Sequence, residues 1–185
     1  MGRFFGNVHV QLGDAAGVPK LTDAIGRFVM AQGYVAADAT ESADRSIVLA
    51  PSPDHRWVSI YDEEAGPDLA ALERLADNLS GATRSVAFAA MVHDSDTLFL
   101  SLFQNGRCAD RYVSGPGEPA TQGNAARWEV VASGEENRRR LRTIWDSEET
   151  FVEAKLGPLA RILGIPAKNL FAGFEEAGNR RVGRQ

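Results

Sequence analysis

A chain of 185 residues and 20.0 kDa buries roughly 70% of its unfolded surface on folding, so neither disulfides nor a structural metal is needed to build a core. Its one cysteine, Cys108, excludes an internal disulfide and a cysteine-based zinc site. The formal net charge of −5 argues against non-specific nucleic-acid binding, which depends on neutralising phosphates.

Charge is uneven along the chain. Residues 1–133 carry 10 basic and 17 acidic side chains, whereas residues 134–185 carry 10 and 8. Apolar runs fall short of the roughly 20 residues of a membrane helix, and MGRFFGNVHV lacks the apolar stretch of a signal peptide. The expectation is a soluble, cytoplasmic protein.

In chain order, residues 7–12 (NVHVQL) alternate apolar and polar side chains and predict a strand. Leu21, Ile25, Phe28 and Val29 recur at helical spacing behind Pro19, and Gly33 supplies the stop. Residues 47–50 predict a short strand and residues 57–61 (WVSIY) another, separated by the turn PSPDH. Leu69, Leu72, Leu75, Ala76 and Leu79 mark a second helix ending at Gly81.

The most strongly patterned stretch follows. Runs 84–92, Thr97–Gln104 and 107–113 predict three strands, separated by His93-Asp94-Ser95-Asp96 and by Asn105-Gly106. Asn-Gly between strand formers is the sequence of a type I′ turn, which needs positive φ at both central residues. A two-residue loop there pairs Phe103 with Cys108, Ser101 with Asp110 and Phe99 with Tyr112. It sets Leu98, Leu100 and Leu102 on the other face with Val113, Arg111 and Ala109. Cys108, beside Phe103, is expected to be a buried, inert thiol. Both faces are apolar, so both need cover.

The order β-α-β-β-α-β is the split βαβ, ferredoxin-like pattern. The expected architecture is α+β: an antiparallel sheet of that kind, extended by the hairpin, with two helices on one face. Residues 114–124, rich in glycine and proline, read as a linker. Residues 133–177 read as a helical segment packed on the sheet, with capping boxes at Ser133/Glu136 and Asp146/Glu149 and a kink at Gly157-Pro158. Residues 1–177 then form one domain, with core 1–113, and 178–185 form a disordered tail. Monomer and homodimer are both open.

Four features bear on function. First, a sheet with Val8, Val10, Val58 and Ile60 turned to the two helices shows His9, Gln11, Trp57, Ser59 and Tyr61 on its opposite face. Aromatic bodies with a few orienting polar groups are the profile of a binding surface, unless the C-terminal helices cover it. Second, Asp110 among the hairpin aromatics, with Tyr112 or His9 beside the 114–117 loop, is the candidate set for an enzyme. Third, His93-Asp94-Ser95-Asp96 carries metal-ligand residue types but also ordinary turn chemistry, and no second ligand cluster accompanies it.

Fourth, Leu159-Ala160-Arg161-Ile162-Leu163-Gly164-Ile165, followed by Leu170, resembles the first half of a helix-turn-helix over residues 156–174. The resemblance implies DNA contact through Lys168 and Asn169, although Gly173, Glu175 and Glu176 depart from the pattern. The chain has no nucleophile elbow, Walker loop or dinucleotide fingerprint, and no metal or cofactor is assigned. The preferred reading is a non-enzymatic binding or interaction protein that recognises a protein partner or small molecule through the polar-aromatic sheet face. Membrane and nucleic acid are not expected partners.

Overall fold

In a computed structural model, residues 2–37, 43–115, 123–147, 149 and 152–179 are described. Six strands form one antiparallel sheet: β1 (Phe5–Gln11), β2 (Ile47–Pro51), β3 (Trp57–Asp62), β4 (Val86–His93), β5 (Thr97–Gln104) and β6 (Cys108–Ser114). Their order across the sheet is β2-β3-β1-β4-β5-β6. Helices α1 (Gly17–Met30) and α2 (Leu69–Thr83) connect β1 to β2 and β3 to β4. Five further helices follow: α3 (Ala125–Trp128), α4 (Glu135–Asp146), α5 (Glu153–Leu163), α6 (Ala167–Leu170) and α7 (Phe174–Asn179).

Strand alternation divides the apolar side chains between two cores. Val8, Val10, Val58, Ile60, Ala87, Ala89 and Phe103 face Leu21 and Ile25 of α1 and Leu72, Leu75 and Leu79 of α2. The other face, with Trp57, Phe88, Leu98, Leu100 and Leu102, packs on Trp128, Leu141, Ile144, Trp145, Leu156, Leu159 and Leu163 of the C-terminal helices. The sheet is therefore sandwiched, and both apolar faces of the hairpin have their cover.

The hairpin register departs from the sequence expectation. Its turn forms as the sequence predicts: Asn105 and Gly106 have φ of 52° and 72°, and Gln104 and Arg107 exchange backbone hydrogen bonds. Phe103 pairs with Cys108, but the register then shifts. Leu102 meets Asp110, Ser101 meets Arg111, Leu100 meets Tyr112 and Phe99 meets Val113. This one-residue bulge moves Tyr112 and Asp110 to the leucine face and Arg111 to the α2 face. Without it, Arg111 would enter the apolar layer that Trp128 and Trp145 fill. With it, Arg111 Nε and Nη2 lie 2.8 and 3.0 Å from the Glu73 carboxylate, and Ser101 donates to the same group at 2.6 Å.

The expected capping boxes are also absent. Gly134, at φ 80°, precedes α4, and α5 begins after Val152, neither with a side-chain cap. The helix runs through Pro158 as one element. The linker reading overlaps structured residues, since Ser114 closes β6 and Asn124 caps α3 with its side chain. Residues 116–122 and 180–185, from the linker and tail expectations, lie outside the described residues. Cys108, expected to be buried, is exposed. Its residual burial, with the Glu73 and Asp110 carboxylates nearby, pushes the thiol pKa up, away from a reactive thiolate.

Candidate functional site

The sheet brings His9, Ser59, Trp57 and Tyr61 together as the strand pattern predicts, because β1 and β3 are neighbours with His9 opposite Ser59. All four are buried, however. Polar atoms of Trp57 and Tyr61 hold the C-terminal segment. Trp57 Nε1 donates to the Leu163 carbonyl at 2.8 Å, and the Tyr61 hydroxyl donates to the Asn169 carbonyl at 2.8 Å. Asn7, absent from the sequence-derived set, donates through Nδ2 to the carbonyls of Leu170 and Ala172 at 3.1 and 2.9 Å.

His9 stands behind this row, stacked on Phe88. Asn7 uses its amide N–H groups on carbonyls, so its Oδ1 accepts from His9 Nε2–H at 2.7 Å, and Nδ1 accepts from the Ser59 hydroxyl at 2.9 Å. Burial without a carboxylate in this row lowers the imidazole pKa from 6.5 to about 3. It is a neutral, fixed connector. Gln11 is half-buried at the end of the row, facing the Arg56 guanidinium. The five residues thus line an internal seat for the helices, not an open face.

The other sequence-derived candidates are dispersed. Asp110 Oδ2 accepts from the Asn124 N–H and from Trp128 Nε1, both at 2.9 Å, and is joined to neither His9 nor Ser101. In the His93–Asp96 turn, Asp94 and Ser95 have φ of 52° and 63°. Ser95 Oγ accepts from the Arg3 N–H and donates to Glu153, so the turn ties the segment before β1 to α5. No metal-binding cluster is found among the described residues. Asn169 is buried in the four-residue α6, with its side chain toward the Ala50 carbonyl, while Lys168 is exposed. The segment that resembles a helix-turn-helix presents its second helix to the sheet.

What opens outward lies on the C-terminal layer. Between α4 and α5 runs a groove of about 410 Å³ with Ile144, Ile162 and Pro158 on its apolar side and Arg140 and Arg161 among its polar lining. Arg140 pairs with Glu136 at 2.9 Å, both well exposed, whereas Arg161 has no ion-pair partner among the described residues. Glu149 also lines the groove.

Lys155 and Ser147 border this groove and a second cavity adjoining it, shared with Tyr112, Trp145 and Asn124. Only 3% of Lys155 is exposed. Its Nζ donates to the Tyr112 hydroxyl at 2.7 Å and to the Ser147 carbonyl at 2.6 Å, with the Tyr112 ring centroid at 5.4 Å. The sequence offered only one signal for this lysine, a lone charge in an apolar helical stripe next to Leu156.

No helix among the described residues is long and apolar enough to cross a membrane. No protein-family model, no curated protein and no solved structure matches this chain.

Proposed function

We propose that this chain is a non-enzymatic interaction protein that receives an acidic, amphipathic segment of a protein partner in the groove between α4 and α5. The observation that carries this reading is an apolar floor bordered by a guanidinium with no ion-pair partner among the described residues: Ile144, Ile162 and Pro158 beside Arg161, with Arg140 near it. Apolar anchors would seat on the floor and carboxylates would meet the arginines, a division of labour common to grooves that take an amphipathic helix. The burial of His9, Trp57, Ser59 and Tyr61 supports recognition on the outer layer instead of the sheet face.

Two finer structural readings go with this proposal. The strand order β2-β3-β1-β4, all antiparallel, with α1 and α2 on one face, supports a ferredoxin-like core extended by β5 and β6. The apolar cluster joining β1, β3, β4, β5 and β6 to α3 through α6 supports a single domain. An exposed free thiol at Cys108 supports a reducing, cytoplasmic setting.

Reversing the groove charge tests the reading. Arg140→Glu/Arg161→Glu changes two exposed side chains and leaves stability within about 0.5 kcal/mol. A partner captured from a lysate by the wild type is expected to be lost by this variant and kept by an equivalent reversal at Arg27 on α1. Equal capture by all three proteins would place recognition elsewhere.

A further inference from the structure

Trp145 and Lys155 line the second cavity, and among the described residues each carries a buried donor without the partner its chemistry calls for. Trp145 is 8% exposed, and its Nε1–H has no hydrogen-bond acceptor. The other two tryptophans are satisfied, Trp57 by the Leu163 carbonyl and Trp128 by Asp110. Lys155 has two neutral oxygen acceptors and no carboxylate partner among the described residues. An ammonium has three N–H donors, so one remains.

Tyr112 joins the two donors. Its hydroxyl accepts from Lys155 and donates to the Trp145 carbonyl at 3.4 Å, and its ring centroid lies 4.7 Å from that of Trp145. Among the described residues no charged neighbour forms an ion pair with Lys155. Arg142 is held by Glu129, and Asp146 borders the cavity as an exposed side chain. A buried cation without a counter-ion and a buried N–H without an acceptor both destabilise the fold, and one ligand carrying an oxyanion corrects both.

We propose that the Tyr112–Trp145–Lys155 cavity is a binding site for a small molecule bearing a carboxylate or phosphate, with the anion on Lys155 Nζ, an acceptor oxygen toward Trp145 Nε1–H and the Tyr112 and Trp145 rings as its wall. The site shares Lys155 and Ser147 with the border of the groove, and it is told from the groove reading by its occupant, a small ligand held without Arg140 or Arg161.

The test follows the three tryptophan indole N–H signals of the full chain by NMR, with Trp145 assigned from Trp145→Phe. Benzoate and inorganic phosphate are titrated separately to about 10 mM, with chloride at matched ionic strength as the control. The expected result is a saturable shift of the Trp145 indole alone. Lys155→Met weakens binding about tenfold or more, since a charge-assisted hydrogen bond is lost. Response to benzoate alone identifies a carboxylate, and response to phosphate alone a phosphate. An unmoved Trp145 signal with both probes overturns the proposal. So does a shift that chloride reproduces, or one that Lys155→Met leaves at full affinity. Should Lys155→Met fail to fold, the wild-type titration against chloride decides by the same criteria. Loss of partner capture in the groove variant would leave this readout untouched.

Discussion

His9 shows how a residue type that suggests catalysis can be locked into structure. Its ring is neutral, hydrogen-bonded at both nitrogens and stacked on Phe88. Its folded pKa of about 3 lies below the ordinary value of 6.5, so the unfolded chain binds one proton more between those pH values. Stability contributed by the neutral ring is complete above pH 6.5 and is lost as pH falls toward 3. The slope is about 1.4 kcal/mol per pH unit. Urea unfolding of the wild type and His9→Gln across this range measures the difference: the wild type is expected to lose stability more steeply. Parallel slopes would show that His9 titrates alike in both states. Glu73 is lowered as well, but by the opposite cause. Burial alone would raise its pKa, but the hydrogen bonds from Arg111 and Ser101 hold the carboxyl below its usual range.

At the scale of elements, the hairpin shows what local patterning carries and what it leaves out. Asn105-Gly106 announces its turn because the φ demand is local, and the alternation of Leu98, Leu100 and Leu102 announces a buried face. The bulge after Cys108 is not local. It is favoured by Arg111 reaching Glu73 on α2 and by Tyr112 reaching Trp145 and Lys155 on the C-terminal layer. Those partners are 38, 33 and 43 residues away. For the same reason the Lys155 cavity was illegible in the sequence: Tyr112, Trp145 and Lys155 come from three separate elements. The polar-aromatic row of His9, Trp57, Ser59 and Tyr61 was legible, because alternation and strand adjacency place it; its occupant was legible only as one of two alternatives, an open face or the C-terminal helices. The hairpin tip also makes a distant contact. Gly106 N–H donates to Ser80 Oγ at 2.8 Å, and a Cβ at Gly106 would lie 3.3 Å from the Gly81 Cα. Gly106→Ala, at φ 72°, is therefore expected to cost about 1–2 kcal/mol in thermal or chemical denaturation. A neutral effect would mean that the tip does not dock on α2.

For the whole molecule, the decisive feature is that one sheet serves two helical layers. A six-stranded antiparallel sheet with helices was readable from periodicity alone, and so was the need for cover on both sides of the hairpin. The means of attachment was not, since Trp57, Tyr61 and Asn7 grip backbone carbonyls of Leu163, Asn169, Leu170 and Ala172, which carry no residue signature. If the C-terminal helices are the obligatory occupant of that face, truncation after Gly117 exposes Trp57, Phe88, Leu98, Leu100 and Leu102 together with the buried donors. Dye binding and size-exclusion chromatography of the truncated chain measure this directly. The account predicts a fragment that binds hydrophobic dye strongly or aggregates. A fragment that stays soluble, monomeric and cooperatively folded would contradict it, and would return the His9–Trp57–Ser59–Tyr61 face to the surface.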